Sequence, residues 1–467
     1  MKYSIPTKFY FRLHHVRPRF KNNLENVLLF MANEISKMQA LPKKEFKKML
    51  DNSIKLFPGN ARLAEKTIDN WRTEISALFG FIQKDNFGKT SRPGQIALKL
   101  AKEQDLIQFF KYFLYYFQYP GGHLKTHKIQ ELIEAGVKFK PAQYILRVLE
   151  AGEKYTKGRF SINKAELTHC IFNDLRVTRD GREPKEVAEL IVNNRLSKVE
   201  YDWTGDVIRY AGDILDYMVI ADLLQIHGNN FYINWKERES ITAIIQSKNW
   251  FNAYDPLYTA TNFEALKVIE DHWFDYVNTY LDKELFKTDV LKYLGVDEDA
   301  YTTLVNASIA EFEKDIENIS RTKDIGDFGE SLILGHECMR MKTGEREDLI
   351  HLIKRIPTAF AMGYDIHSVE LDERKRLIEV KTTISSKTLN FYNFHLTPNE
   401  WNAADSFGDR YYVYRLMISK KEKKLFILQN PVGQYKQDKL KMTPRDGADI
   451  IFKENTGTWT ELLIWKN

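Results

Sequence analysis

Three ionisable side chains stand where their apolar neighbours favour burial. Asp365 lies in "GYDIHSV" (363–369), and Glu379 and Lys381 lie in "RLIEVKTT" (376–383). Strands normally avoid Asp, Glu and Lys. Alternation along an extended chain puts Glu379 and Lys381 on one face, with Ile378 and Val380 on the other. The segment "DERKR" (372–376) can turn the chain between the two runs, so the hairpin carries Asp365 toward Glu379 and Lys381. Two neighbouring carboxylates repel each other unless a cation lies between them. A divalent ion with oxygen ligands, Mg²⁺ or else Mn²⁺, is the natural occupant. A lysine beside it can orient or help deprotonate a water for in-line attack on a phosphodiester. The competing reading is an exposed strand face with an ordinary salt bridge. Glu-x-Lys also occurs at Glu45/Lys47, Glu373/Lys375 and Glu422/Lys424, so the spacing alone decides nothing. Only the Glu379 copy sits in an apolar strand that follows, in a second strand, an acid fourteen residues upstream.

The elements that must position these groups are legible around them. "GDFGESLILGHECMR" (326–340) predicts a helix with Glu330 in its first turn. "NFHLTPNEWNAADSFGDRYYVYRLMI" (393–418) predicts a strand, a Thr-Pro-capped helix and a further strand. The order is α–β–β–β–α–β, which resembles the core of the PD-(D/E)xK nucleases. More narrowly, "GxxGE", "GYDI", "IEVKTT", "LTPNEW" and "YYVYRL" together resemble the NO VEIN C-terminal type of that superfamily, over about 326–420. The resemblance implies that Asp365, Glu379 and Lys381 form a nuclease triad, with Asp365 and Glu379 on the metal and Glu330 as a supporting helix acid. The stretch "TGEREDLIHLIKRIP" (343–357) is longer than that core requires.

The chain has 467 residues, more than one hydrophobic core usually serves, so several domains are expected. No run of eighteen apolar residues occurs, and "MKYSIPTKFYFRLHH" lacks a signal-peptide core, so a cytoplasmic protein without a membrane segment is expected. Two cysteines, Cys170 and Cys338, suit a reducing compartment. His336 and Cys338 in "GHEC" lack a partner pair of ligands, so no zinc site is expected. The net charge of +5 hides an asymmetry: residues 1–100 hold 19 Lys and Arg against 8 Asp and Glu, whereas residues 201–350 hold 14 against 29. The basic part is suited to a polyanion. The run "LPKKEFKKML" (41–50) is better read as a solvated helix face.

Upstream, amphipathic spacing predicts helices over 22–38, 43–55, 64–79, 94–116 and 127–136. A helix–short strand–helix outline then recurs over 144–172 around "RFSIN" and over 216–245 around "NFYIN", with a looser version over 67–101. In the two closer copies Asn163 and Asn234 stand as helix caps before an acidic first turn. The outline resembles the winged-helix arrays in the recognition halves of some type II restriction endonucleases. Such a module presents one helix to the major groove and a β-wing to phosphates.

Together with these resemblances, the sequence is expected to divide into a basic, mostly helical, winged-helix-like DNA-recognition region (1–165), a second such module (166–255), an acidic helical connector (256–320) and an α/β PD-(D/E)xK nuclease domain (321–467). The DNA-contact candidates are Arg17, Arg19, Lys66, Arg72, Lys89 and Arg92. Arg72, on a helix beginning near Thr67, is placed to pair with guanine, and Lys89 and Arg92 with phosphates. The expected activity is Mg²⁺-dependent, site-specific cleavage of double-stranded DNA, with a homodimer forming on the DNA. Alternatives are a modification-dependent or repair nuclease and, from another class, a non-catalytic DNA-binding regulator.

Overall fold

Apolar residues three and four apart drive the first part of the chain into helices, and two short β-hairpins interrupt them. The computed structural model describes residues 2–15, 18–57, 59–85, 89–259, 263–279, 284–288, 325–356, 362–387, 389, 393–419, 422–444 and 447–463. It divides into two units: Met1–Lys102 with Leu106–Lys287, and Glu103–Asp105 with Thr288–Asn467.

In the first unit, α1 (Leu24–Ser36) buries Val27, Leu28, Met31, Ala32 and Ile35. Strand β1 (Leu41–Pro42) leads into α2 (Lys43–Leu56), which buries Phe46, Leu50 and Ile54 and leaves Lys43, Lys44, Lys47 and Lys48 in solvent. Helix α3 (Glu65–Thr73) continues as a wider turn over Glu74–Leu78. Strands β2 (Ile82–Asp85) and β3 (Thr90–Pro93) then form a hairpin, and β1 pairs with β3 in the order β1–β3–β2.

The predicted helix 94–116 is two helices, α4 (Gln95–Glu103) and α5 (Leu106–Tyr116), because Gln104 adopts φ +53° and ends the first. There follow α6 (Thr126–Glu134), α7 (Pro141–Thr156), the short α8 (Lys164–Leu167) and α9 (Leu175–Thr178), α10 (Pro184–Leu196) and α11 (Asp206–Ile220). Phe79, Phe110 and Phe113 pack on Tyr217 of α11, Phe110 stacking at 5.7 Å between ring centroids.

A second hairpin, β4 (Leu224–His227) with β5 (Asn230–Ile233), precedes α12 (Arg238–Ile245). Here the expected repeat is corrected. "RFSIN" and "NFYIN" are not copies in separate modules, because Ile162 bridges Phe231 antiparallel. A five-residue run with one apolar side needs a partner, and Ile162 and Phe231 are both fully buried where they meet. Of the two expected caps, Asn163 forms a full capping box with Glu166. Asn234 does not cap; its amide reaches back to Asp222 and locks the ends of the hairpin. Helix α13 (Leu266–Val277), expected in a connector, packs within this unit: Trp273 donates to the Ala77 carbonyl, and Asn278 bonds the Ile96 N–H and the Gly80 carbonyl. The other connector helix, expected over 304–320, lies outside the described residues.

In the second unit, α14 (Ile325–Thr343) precedes the edge strand β6 (Lys354–Arg355), β7 (Ile366–Val369) and β8 (Lys375–Ile384). Strand β9 (Asn393–Leu396), α15 (Pro398–Phe407), β10 (Tyr411–Ile418), β11 (Lys423–Gln429) and α16 (Pro431–Lys436) follow. Strands β12 (Lys441–Pro444), β13 (Ala448–Ile451) and β14 (Thr458–Glu461) complete it. The main sheet has the order β14–β11–β10–β8–β7–β6, with β8 and β10 parallel. Strand β9 leaves it and pairs with β13 instead. The two faces of β8 meet different helices. A Cβ on Gly329 of α14 would lie 1.7 Å from Thr382 Oγ1, so only glycine lets α14 approach that face. Glu379 and Lys381 project to the opposite face, where Lys381 meets Glu400 of α15.

Candidate active site

The β7–β8 hairpin brings the three chemical residues together. Ile366 pairs with Ile378, so Asp365, one residue before, stands across from Glu379. Its backbone N–H donates to the Ile378 carbonyl at 2.9 Å, and its Oδ2 accepts from the Val380 N–H at 2.8 Å. The chain reaches this position through Gly363, at φ +76°, where a Cβ would lie 2.5 Å from the Asn399 carbonyl oxygen of α15. Tyr411 fixes the same turn by donating to the Gly363 carbonyl at 2.9 Å. The glycine of "GYDI" and the first tyrosine of "YYVYRL" therefore both serve to place Asp365.

Glu379 is 4% exposed, and Lys381 Nζ lies 2.6 Å from its Oε1. The same ammonium donates to Glu400 Oε2 at 2.9 Å. Burial pushes Glu379 well above the ordinary glutamate value; Asp365 and Glu400 add to the rise and Lys381 opposes it. Asp365 is also raised by burial, against the Val380 N–H, Lys381 and a hydrogen bond with the Glu379 carboxyl. Burial alone would lower Lys381, but Glu379 and Glu400 outweigh it and hold the ammonium above the ordinary lysine value. Glu400, despite burial, is held low by Lys381. The face thus presents three carboxyl groups near one cation, Lys381, which bonds Glu379 and Glu400 directly. Among the described residues, no three His, Cys, Asp or Glu side chains converge as a ready metal cage.

Glu330 stands beside this group on α14. Burial, and secondly Asp365, raise it to about 7, while Arg355 opposes the rise. Arg355 Nε donates to Glu330 Oε2 at 2.6 Å and its Nη2 to Asp327 at 2.5 Å. The stretch that exceeds the expected core, 343–357, supplies the edge strand that carries this arginine.

Two contributors escaped the sequence reading. Glu400 was visible only as part of a capping motif, which explains a glutamate three residues after Thr397 without any chemistry. Arg415 pairs in register with Lys381, and its Nη1 donates to the Lys381 carbonyl at 2.9 Å. Burial lowers its guanidinium to about 9.

The DNA-contact candidates are distributed over the first unit. Arg17 lies outside the described residues. Arg19 is exposed, and it is its backbone N–H, not its guanidinium, that donates to Glu74 at 2.8 Å. Lys66 and Lys89 are exposed, Lys66 in the first turn of α3 and Lys89 at the tip of the β2–β3 hairpin. Arg72 is partly buried and bonds to Asp51 and Asp69, because packing α2 on α3 brings Asp51 beside it. Arg92 pairs with Asp85 across the hairpin at 3.1 Å.

No curated protein matches the chain. Residues 330–428 match the family described as Protein NO VEIN, C-terminal. Among solved structures, the chain is similar to the crystal structure of pyrene- and phenanthrene-modified DNA in complex with the BpuJ1 endonuclease binding domain. The identity is 28% and the TM-score 0.53, over 59% of this chain and 100% of that one. Residues 3–274 match the family described as Restriction endonuclease BpuJI - N terminal. That match spans more than half of the 467 residues, and the chain belongs to this family.

Proposed function

We propose that this chain is a site-specific, metal-dependent endonuclease of the type II restriction kind, recognising double-stranded DNA with its first unit and hydrolysing it with its second. The observation that carries the proposal is the convergence of Asp365, Glu379 and Lys381 on one face, in a chain of a restriction-endonuclease family. The element order around them supports a PD-(D/E)xK core. Asp365 and Glu379 suit a divalent cation: Glu379 is buried and Asp365 half-buried, they stand across from each other on the hairpin, and both are raised toward the protonated form. Bound there, Mg²⁺ or Mn²⁺ supplies polarisation of the scissile phosphate and neutralises charge developing on it. The chain's own part is positional. The Val380 N–H fixes Asp365, and Lys381 orients the attacking water and offsets charge at phosphorus. Glu330, held by Arg355, supports the field at Asp365.

The recognition half is supported by the family match and by a relative solved on DNA. The order α1–β1–α2–α3–β2–β3, with β1–β3–β2 pairing, agrees with a winged helix that uses α3 as reader and the β2–β3 tip as wing. Lys66, Lys89 and Arg19 are then the phosphate contacts, and Arg72 and Arg92 exchange their acids for DNA on binding. Replacing both Lys66 and Lys89 with alanine is expected to weaken binding uniformly across sequences and to reduce the slope of log affinity against log salt by about 1 per lysine. Gel-shift titrations over a salt series measure this, and an unchanged slope places the DNA elsewhere.

No helix among the described residues is long and apolar enough to cross a membrane. Both cysteines, Cys170 and Cys338, are buried and neither forms a disulfide, in keeping with a cytoplasmic enzyme. One Asp365/Glu379/Lys381 set processes one strand at a time, so a duplex break requires two copies of the chain or two successive nicks. The test of the proposal is incubation of plasmid and phage DNA with the protein and Mg²⁺. Discrete fragments that disappear in EDTA are expected. A smear contradicts site specificity, and no cleavage favours a DNA-binding regulator.

A further inference from the structure

We infer that Glu400 is a positioning residue for Lys381: it holds the lysine ammonium in place when Glu379 turns to a divalent ion. The inference rests on the nuclease reading above. Lys381 Nζ is shared between Glu379 Oε1 at 2.6 Å and Glu400 Oε2 at 2.9 Å. A lysine ammonium has three donors, so these two acceptors leave one N–H for a water or a phosphate oxygen. The acceptors differ in origin. Glu379 belongs to the sheet and faces Asp365, whereas Glu400 belongs to α15. Glu400 is also fixed in its own right. Its Oε2 accepts from the Thr397 N–H at 3.0 Å, and its N–H donates to Thr397 Oγ1 at 3.4 Å, a reciprocal cap that locks its rotamer. A capping box needs only Glu or Gln at this position; it does not explain why the carboxylate takes up a half-buried lysine. With Asp365 and Glu379 committed to a cation, Glu400 is the carboxylate left to Lys381 on this face.

The experiment compares the full-length wild type with Glu400→Gln, Thr397→Ala and Lys381→Ala. It reads kcat and KM for DNA cleavage, Mn²⁺ affinity by calorimetry and the melting temperature. Glutamine keeps the capping box and removes the charge, so Glu400→Gln is expected to lower kcat by about 10- to 100-fold, as loss of a supporting partner typically does. Its KM, Mn²⁺ affinity and melting temperature stay near wild type. Thr397→Ala removes the Oγ1 acceptor but keeps the Thr397 N–H bond that holds the Glu400 carboxylate, and keeps the charge, so its melting temperature falls while kcat holds. A Glu400→Gln enzyme with wild-type kcat shows that Glu400 only caps α15 and overturns the inference. Loss of Mn²⁺ affinity in that variant overturns it too, by making Glu400 a ligand. If Glu400→Gln does not fold, Thr397→Ala decides: lost kcat in a folded Thr397→Ala protein assigns the effect to the cap. A wild type that does not cleave overturns the nuclease reading itself, a result distinct from all of these.

Discussion

Lys381→Ala is expected to lower the single-turnover cleavage rate by about 10²–10³-fold, the effect of removing a preorganised charge aimed at a developing oxyanion. Affinity for DNA should change by less than about tenfold, 1.4 kcal/mol. The reason lies in what the ammonium touches. It bonds Glu379 and Glu400 and is assigned to the attacking water, while the proposed DNA readers lie in a separate unit more than two hundred residues upstream. Removing it also leaves Glu379 and Glu400 without the counterion they share, so Lys381→Ala in EDTA should melt below wild type. Single-turnover kinetics and gel shifts on one oligonucleotide measure both effects. Cleavage near the wild-type rate removes Lys381 from the chemistry, and loss of binding shows that this face takes part in recognition.

Asp365→Asn should have an effect at least as large on cleavage and the opposite effect on stability. The amide oxygen can still accept from the Val380 N–H, so the hairpin persists. What disappears is one of the two charges proposed to hold the cation, which contributes several kcal/mol to charge stabilisation, so cleavage should fall by about 10³-fold or more. Burial raises Asp365, which means that its charged form is disfavoured where it sits. A neutral isostere relieves that penalty at neutral pH, and metal-free Asp365→Asn should melt above wild type. Calorimetric Mn²⁺ titration and thermal melts with EDTA test the pair of effects. A variant that keeps Mn²⁺ affinity, or that melts well below wild type, assigns Asp365 to structure.

The hairpin geometry was legible because strand alternation has a strict period of two. Apolar Ile378 and Val380 take one face, and Glu379 and Lys381 had to share the other. The turn at 372–374 then left little choice about where Asp365 would lie. The capping box at Asn163 and Glu166 was legible for the same kind of reason: both of its partners lie within one helical turn. Contacts formed between distant segments were not. Arg72 carries no mark in the sequence that Asp51, on another helix, will neutralise it. The bridge from Ile162 to Phe231 joins runs that look like copies of each other, and likeness of sequence hid the fact that they are partners. The break at Gln104 went unseen because that residue carries no glycine or proline signal, yet adopts a left-handed backbone. Glu400 carried no assignment in the sequence; its reach to Lys381 depends on packing α15 against the sheet.

The measurement that bears most directly on the central claim is sequencing of the ends left when phage DNA is digested with the full-length protein and Mg²⁺, beside the Lys381→Ala and Asp365→Asn variants. The account predicts wild-type ends at a fixed position relative to one recurring sequence, and intact DNA from both variants under conditions where each still shifts the same duplex in a gel. Ends scattered without a shared sequence, or the same fragments from either variant, would contradict it.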